Sequence, residues 1–407
     1  MHPGDLASLA GETTIFGGSA AEKLERLQAE LEPLSRRYDV VVANPPYMGS
    51  KNMNKWLGDW VKKHYKDVKG DLFSCFMAHN VGMGAEHAQL GFMTPYVWMF
   101  IGTYEKLRKF VIQQNTITSL IQLEYSGFSG ATVPICTFTL QKGYCPGYRG
   151  GYVRLSDFAG ADQQAPRALE SLANPDCGWF YRADASSFEA IPGSPIAYWL
   201  KGTLIEAFRN ERTLIKNVDL TASGNKTADN DLYIRYWYEV AHTSKRWVPL
   251  SKGGEFRKWY GNWLNVIDWS AEAKHFYQTN KTSNLMPYSN WFVEGITWSD
   301  ISSGKFHCRY APSSVTSETV GPIFAISNHV KRNCTMALLN SSFADVVFEL
   351  LAPGLHFKIN DIGKLPFNEA ATNNSTLSSI VDDNIDLARI DWNAFEVSCG
   401  FKRHPLA

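Results

Sequence analysis

Residues 40–47 have the sequence Val-Val-Val-Ala-Asn-Pro-Pro-Tyr, in which a short apolar run leads directly into two consecutive prolines. Proline fixes its own φ, has no backbone N–H and pushes the preceding residue out of the α region, so we expect a β-strand followed by a rigid, extended loop. The side-chain oxygen of Asn44 and the carbonyl of Pro45 offer two hydrogen-bond acceptors, and Tyr47 offers a ring for stacking. We therefore predict that this loop holds an exocyclic amino group and directs its nitrogen at an electrophile.

The stretches that follow predict an α/β sheet around this loop. Gly70-Asp71-Leu72-Phe73 opens a helical pattern, and residues 91–99 predict a strand that enters a second proline-marked loop at Pro95. Residues 119–124 and 133–141 flank a glycine-bracketed turn and predict an antiparallel hairpin at the edge of the sheet. The order of strand, loop, helix and strand is typical of a doubly wound fold. Without these flanking elements, the Pro-Pro pair could simply end a strand and Asn44 could cap the next turn.

Three segments between Arg36 and Lys142 carry a family resemblance: RRYDVVVANPPYMGSKNMNKW, GFMTPYVWMFIGTYEKLRKF and SLIQLEYSGFSGATVPICTFTLQK. They resemble the second half of the catalytic domain of amino-group (N6-adenine) DNA methyltransferases, and within that family most closely the large adenine methyltransferases of BREX phage-exclusion systems. The resemblance implies a partial Rossmann-like class I methyltransferase sheet followed by an α+β target-recognition domain. It also implies S-adenosylmethionine as the cofactor and double-stranded DNA as the substrate.

By position, the resemblance assigns the catalytic role to four loop residues: Asn44, Pro45, Pro46 and Tyr47. It places Phe128 opposite Tyr47, so that the two rings would sandwich a base flipped out of the duplex. A loop phenylalanine that covers the sheet edge is the alternative for Phe128.

The same resemblance places three residues beside the cofactor: Asp71, Phe73 and Phe76. Asp71 could instead only cap its helix, and Phe76 could belong to the core. Relatives hold the cofactor on a glycine-rich loop and an acidic residue ahead of the catalytic loop. We find neither pattern before Asn44, so we expect the carboxy-terminal part of a larger enzyme, and the isolated chain could be inactive.

The remaining sequence mixes cations with aromatic residues, which is typical of nucleic-acid binding. We predict DNA contacts from five residues: Arg246, Arg257, Lys258, Lys305 and Arg309. The alternative is that the tryptophans of this region are core residues and that the cations extend along apolar surface. We divide the chain into a helical lead-in at 1–37, a catalytic half at 38–150, a target-recognition domain at 151–370 and a helical tail at 371–407.

Composition adds limits. The 407 residues have a formal net charge of zero, so DNA binding would need a local basic surface. The seven cysteines have no metal-ligand spacing, and we predict reduced thiols, no metal site and a cytoplasmic protein without a membrane span.

Together these features predict an adenine-specific DNA methyltransferase of a BREX-like phage-defence system. Two alternatives remain: a non-catalytic DNA-recognition fragment or subunit, and a protein glutamine methyltransferase, whose substrate amide would suit the same loop. Expected partners are DNA and either other BREX-system proteins or a separate cofactor-binding half.

Overall fold

The computed structural model describes residues 20–125, 127, 133–210, 212–241, 244–316, 320–352 and 354–404. The chain divides into two compact units, Met1–Lys201 and Gly202–Ala407. The first unit is built from five helices and six strands within these described residues. Its elements are α1 (Ala20–Ser35), β1 (Tyr38–Ala43), α2 (Lys55–His64), α3 (Leu72–Met83), β2 (Gly84–Pro95), α4 (Glu105–Gln114), β3 (Asn115–Gln122), β4 (Ile135–Lys142), β5 (Arg149–Arg154), α5 (Ala161–Ala173) and β6 (Phe180–Asp184).

The six strands form one sheet in the order β1-β2-β4-β3-β5-β6. β1 and β2 are parallel, as predicted, with Ala43 opposite Phe92, so both strands end at the same side of the sheet. β3 and β4 form the predicted antiparallel pair. The prediction that this pair is the sheet edge is wrong, because β5 continues the sheet beyond β3 in parallel register.

The first unit also extends beyond the boundary that we predicted near residue 150. The glycines there predicted that boundary, but Gly150 lies inside β5, and a Cβ on it would come within 2.4 Å of the Ile117 carbonyl oxygen. Glycine is needed here for close strand packing rather than for a flexible connection. β6 then pairs with β5, and the unit continues to Lys201.

The start of the described chain is more exposed than the sequence suggested. The spacing of Leu24, Leu27, Leu31 and Leu34 puts them on one face of α1 and predicts core contacts for them. Leu27 and Leu31 are each about half exposed, and the side chains of Leu24 and Leu34 lie outside the described part. On β1, Val41 packs against the core, whereas Val40 and Val42 on the opposite face are 63% and 78% exposed. Within the described residues, β1 pairs only with β2.

The second unit contains seven helices and nine strands in its described residues. Seven of these strands form a sheet in the order β8-β14-β12-β13-β10-β11-β9, and β7 pairs with β15. The elements are α6 (Gly202–Asn210), β7 (Arg212–Thr213), β8 (Leu220–Ala222), α7 (Asn230–Tyr233), β9 (Ile234–Tyr236), β10 (Trp247–Ser251), β11 (Asn265–Asp268), α8 (Ala271–Thr279), β12 (Val293–Trp298), β13 (Cys308–Thr316), β14 (Ile323–Ala325), α9 (His329–Leu339), α10 (Ser342–Leu351), α11 (Ile359–Ile362), β15 (Pro366–Phe367) and α12 (Ser375–Asn393).

The predicted helix near the end of the chain is present as α12, but it does not form a separate tail. Asn333 of α9 donates hydrogen bonds to Ser378 and Asp382 of α12, so the two helices are joined inside the second unit.

No single helix of the described chain has both the length and the apolar content to cross a membrane. α9 and α10, which are bent by 69° relative to each other, meet the test only when they are taken as a pair.

Candidate functional site

The predicted loop lies at the carboxyl ends of the two parallel strands. β1 ends at Ala43 and β2 at Pro95, so Asn44 follows one strand and Tyr96 the other on the same side of the sheet. In open α/β sheets, ligands bind outside these strand ends. The two prolines differ in exposure. Pro45 is buried and anchors the loop, whereas Pro46 and the preceding Asn44 are exposed.

The two acceptors are both available for a donor in this arrangement. The Pro45 carbonyl accepts no hydrogen bond from the part of the chain that the structure describes. The Asn44 side-chain oxygen lies 3.2 Å from the Tyr47 hydroxyl, which donates to it. An amide oxygen has two lone pairs, so it can accept from a substrate amine as well. The Tyr47 contact therefore orients the Asn44 amide and leaves its oxygen able to accept a second hydrogen bond.

Tyr47 is held from several sides. Its single hydroxyl hydrogen is shared between Asn44 Oδ1 and the Met93 carbonyl oxygen of β2, which lies 3.3 Å away, and its ring meets Phe73 edge-on at 6.4 Å between centroids. Burial, with a smaller contribution from the Cys136 thiol, raises the pKa of Tyr47, so the hydroxyl stays protonated and remains a donor. With 37% of its surface exposed, the ring can still present a face to a substrate.

Asp71 has a role that the sequence showed only in part. Its Oδ1 accepts from the Phe73 backbone N–H at 3.2 Å, which is the capping contact we considered, and from the Met48 N–H at 2.8 Å. Leu72 N–H donates in turn to the Met48 carbonyl at 3.1 Å. The start of α3 is thus tied to the residue that follows Tyr47. An acidic residue before a helix predicts a cap, but nothing in the sequence predicted the contact to Met48.

The three residues that we placed beside the cofactor differ in how far their side chains are exposed to solvent. Phe73 is 1% exposed and packs against Tyr104 at 5.4 Å, so its ring belongs to the core. Asp71 is partly buried, and its Oδ1 accepts the two backbone N–H groups described above. Phe76 is 40% exposed on α3 and is the most exposed of the three. Phe128 lies outside the described residues.

The five residues that we predicted to bind DNA are engaged inside the second unit. Arg246 pairs with the buried Asp268 at 2.5 Å, Arg257 pairs with Asp391 at 2.8 Å, and Lys305 pairs with Asp345 at 3.2 Å. Lys258 donates to the Asn340 carbonyl. Arg246 and Lys305 keep more than half of their side-chain surface exposed, and Arg257 keeps less than a third.

Arg309 is the extreme case, because it is 1% exposed. Its Nε and Nη1 have no hydrogen-bond acceptor within the described part of the chain. Burial lowers the pKa of Arg309 to about 10. A phosphate cannot reach this side chain in the present conformation, so its placement on β13 does not favour the predicted DNA contact.

The tryptophans of this unit favour the alternative that we weighed for them. Trp298 and Trp269 are buried, and the remaining five that we considered are partly buried: Trp237, Trp247, Trp259, Trp263 and Trp291. The exposed tryptophans are Trp56 and Trp60, on α2 of the first unit. Sequence reasoning missed this helix, although its six neighbouring lysines were a visible signal.

Comparisons with known proteins show similarity to one group of enzymes. The model of the Eco57I restriction-modification methylase family matches residues 16–128, which contain the loop. The chain is 34% identical over 395 residues to adenine-specific methyltransferase PglX of Lacticaseibacillus casei (strain Zhang), covering 92% of this chain and 33% of the relative. It is 31% identical over 418 residues to adenine-specific methyltransferase BrxX of Escherichia coli O9:H4 (strain HS), covering 98% of this chain and 33% of the relative.

Among solved structures, the fold resembles the Type IIL restriction-modification enzyme MmeI, which was determined in complex with DNA. The TM-score is 0.54 at 10% identity, over 89% of this chain and 50% of MmeI. This likeness concerns the fold alone. The chain spans about one third of the length of PglX and BrxX. By sequence, the chain is similar over at least 92% of its length to the adenine-specific methyltransferases PglX and BrxX, and its residues 16–128 match the Eco57I restriction-modification methylase family.

Proposed function

We propose that this chain carries the target-base site of an adenine-specific DNA methyltransferase, and that Asn44, Pro45, Pro46 and Tyr47 form it. The observation that carries the proposal is the geometry of the loop. A rigid segment at the carboxyl end of β1 presents an oriented amide oxygen, an unoccupied carbonyl and a half-exposed ring. Two acceptors and a stacking face match the N6 amino group and the ring of adenine.

The loop residues act by position and by electrostatics. The Asn44 side-chain oxygen and the Pro45 carbonyl accept hydrogen bonds from the two N–H groups of the adenine amino group. These bonds draw the lone pair of the amino nitrogen out of conjugation with the ring. Tyr47 stacks on the base and keeps the Asn44 amide in the accepting orientation through its hydroxyl. Asp71 holds the end of the loop through Met48 N–H, so these groups are fixed before the base arrives. No covalent intermediate on the protein is required.

The cofactor implied by the family is S-adenosylmethionine, which supplies the electrophilic methyl group. Of the candidate residues, Phe76 fits a role beside the cofactor's adenine, because its ring is exposed on α3 near the carboxyl ends of the strands. Phe73 packs edge-on against the Tyr47 ring and so supports the orientation of that ring. Phe128 remains our candidate for the second face of the flipped base.

We further propose that the first unit is the catalytic half of a class I methyltransferase sheet and that the second unit recognises the DNA target. MmeI, whose fold is similar over 89% of this chain, was determined in complex with DNA, which supports DNA as the ligand. The resemblance to BREX methyltransferases supports a role in phage defence, with DNA and other proteins of that system as partners.

A methyl-transfer assay tests the proposal. The chain is incubated with radiolabelled S-adenosylmethionine and double-stranded DNA, both alone and together with the remaining two thirds of PglX supplied as a separate polypeptide. Digestion of the DNA and mass spectrometry then identify the modified base, and N6-methyladenine in either preparation is the expected product.

Each other product has a defined meaning. N4-methylcytosine would contradict the assignment of adenine, and methylglutamine in added protein would favour the glutamine methyltransferase alternative. DNA binding without methylation in both preparations would favour a DNA-recognition fragment.

A further inference from the structure

Residues 48–72 leave the catalytic loop and return to it, and we call residues 51–69 the lysine excursion. Its two ends are held together beside Tyr47. Ser50 N–H donates to the Gly70 carbonyl at 3.0 Å, and Met48 and Leu72 are joined by the hydrogen bond described above. Val61 and Val68 are the buried side chains within the excursion, and both belong to the core of the first unit. The excursion is therefore an ordered part of the catalytic unit.

The excursion is basic, although the whole chain is neutral. It contains six lysines and two aspartates. The lysines are Lys51, Lys55, Lys62, Lys63, Lys66 and Lys69. Asp67 is paired with Lys106 of α4 at 2.6 Å, and Asp59 lies 3.7 Å from Lys62. The other five lysines of the excursion have no ion pair within the part of the chain that the structure describes. The six lysines outnumber the two aspartates, so the excursion carries an excess of positive charge.

Four lysines of the excursion, Lys106 and the two aspartates Asp59 and Asp67 line one cleft of about 530 Å³. The four lysines are Lys55, Lys62, Lys66 and Lys69. The same cleft is bordered by Ser50 and Gly70, the residues that close the excursion next to the catalytic loop. The five ammonium groups outnumber the two carboxylates, which pair with Lys62 and Lys106. The cleft therefore keeps an excess of positive charge, which suits a polyanionic ligand.

Exposed aromatic rings accompany these charges. Trp56 and Trp60 lie one turn apart on α2 and are 73% and 42% exposed. Trp60 packs against His64 at 4.8 Å and 31° between ring planes, which holds its orientation. Tryptophan beside lysine is the combination with which proteins bind unpaired nucleic-acid strands, because bases stack on the rings while cations contact the phosphates. A duplex keeps its bases inside and would leave the two rings unused.

We propose that the lysine excursion binds unpaired DNA, namely the strand on either side of the flipped target base. This rests on the proposed function and deepens it, since an enzyme that removes a base from the duplex must hold a locally distorted strand next to its catalytic loop. The phosphates contact the lysines of the cleft, and Trp56 stacks on an exposed base.

Fluorescence anisotropy with the full chain tests the proposal. Labelled single-stranded and duplex oligonucleotides of the same sequence are titrated over a range of salt concentrations. The test variant is Lys55→Gln/Lys66→Gln/Lys69→Gln. The charge-keeping control is the same triple change to arginine, and Lys109→Gln, which removes a lysine paired with Glu105 on α4, is the control for loss of one cation elsewhere.

We expect single-stranded DNA to bind the wild-type chain with a steep dependence on salt. The triple glutamine variant should lower the slope of log affinity against log salt by about 2, at roughly 0.7 per phosphate contact. The arginine variant and Lys109→Gln should keep the wild-type slope. Trp56→Ala should weaken single-strand binding by about 5- to 100-fold, and Trp56→Phe should retain most of it.

The contrary outcomes are separable. If the chain binds DNA but the glutamine variant keeps the full slope, or if the arginine variant loses as much as the glutamine variant, the excursion is not the phosphate site. Binding of duplex alone, unaffected by Trp56→Ala, would equally overturn the unpaired-strand assignment. Absence of any DNA binding by the wild-type chain would count against the proposed function itself. Melting temperatures close to the wild-type value confirm that each variant is folded.

Discussion

The lysine excursion of the first unit and the cation clusters of the second unit are similar in sequence and differ in structure. Both interleave lysine or arginine with tryptophan and tyrosine. In the excursion, five lysines have no ion pair among the described residues and two tryptophans are exposed. In the second unit, Arg246, Arg257 and Lys305 are paired, Arg309 is buried, and the tryptophans are wholly or partly buried. The same composition therefore serves a surface in one unit and internal contacts in the other.

The difference lies in where the carboxylates come from. The partners of Arg246, Lys305 and Arg257 are 22, 40 and 134 residues away in sequence. A local window shows the cation and the ring but not the distant acid that neutralises the charge. A basic-aromatic pattern indicates a nucleic-acid surface only when the fold brings no acid to it. Four substitutions test how far this contrast holds.

The largest effect is expected at Asn44, in the proposed target-base site of the first unit. Asn44→Ala removes one of two acceptors for the substrate amine, and the rate of methyl transfer should fall about 100-fold, or ~3 kcal/mol of transition-state stabilisation. DNA affinity should stay within about twofold, since no phosphate contact is lost. Single-turnover kinetics and anisotropy measure the two quantities, with the exposed Asn174→Ala as the matched control. Normal turnover in Asn44→Ala would remove the catalytic role of the loop.

Asp268→Asn tests whether the ion pair between Arg246 and Asp268 stabilises the folded protein. Burial would raise the pKa of Asp268, but hydrogen bonds from Arg246 and Ser270 outweigh burial and lower it below the ordinary value. The charged form is thus favoured in the folded state, and its stabilisation is present above the ordinary aspartate pKa of ~4 and lost as the pH falls through the lowered pKa. Urea unfolding should show a loss of about 2 kcal/mol at pH 7 that shrinks below pH ~4.

The matched control for Asp268→Asn is Asp386→Asn, which removes an exposed carboxylate paired with Arg389. It should change the free energy of unfolding by less than about 1 kcal/mol. The contrary outcome is a loss of unfolding free energy as small as that of the control at pH 7, together with a higher affinity for DNA. Arg246 would then be able to contact DNA once its partner is removed, and the contrast between the units would weaken.

Arg309→Met should stabilise the protein, by about 1 kcal/mol, because a buried guanidinium without acceptors for Nε and Nη1 is replaced by an apolar side chain. The matched control is Arg332→Met. Arg332 is also buried but pairs with Glu294 and lies over the Tyr310 ring, so its loss should destabilise. Thermal unfolding measures both changes. A lower DNA affinity in Arg309→Met, with unchanged stability, would restore Arg309 as a contact residue.

The smallest effect is expected for Lys305→Gln. The Lys305–Asp345 pair is largely exposed on the lysine side, and such pairs contribute less than about 1 kcal/mol. The salt slope for DNA should also remain at the wild-type value, in contrast to the glutamine variant of the excursion. A decrease of about 0.9 in the slope for duplex DNA would show that Lys305 contacts a phosphate after all.

The local elements could be predicted because their signals lie within a few residues. Val40 to Tyr47 contains a strand, its end and its loop, and Asp71 lies directly ahead of the helix that it caps. Contacts between distant residues could not be predicted in this way. The glycines near 150 indicated a boundary, whereas the packing of Gly150 against Ile117 depends on a residue 33 positions earlier, and the contact of Phe73 with Tyr104 is likewise absent from any local window. The second acceptor contact of Asp71 depends on Met48, which is 23 residues away.

The edge of β1 that faces away from β2 has no partner strand among the described residues, and this has a consequence for the chain in solution. Val40 and Val42 of this strand have side chains that are mostly in water. Such an edge can accept a strand from another molecule. Strand addition of this kind is bimolecular, so its rate grows with the square of protein concentration while intramolecular folding is unaffected. The chain should therefore remain monomeric when dilute and self-associate when concentrated, and the charged substitution Val42→Lys should raise the concentration at which that begins.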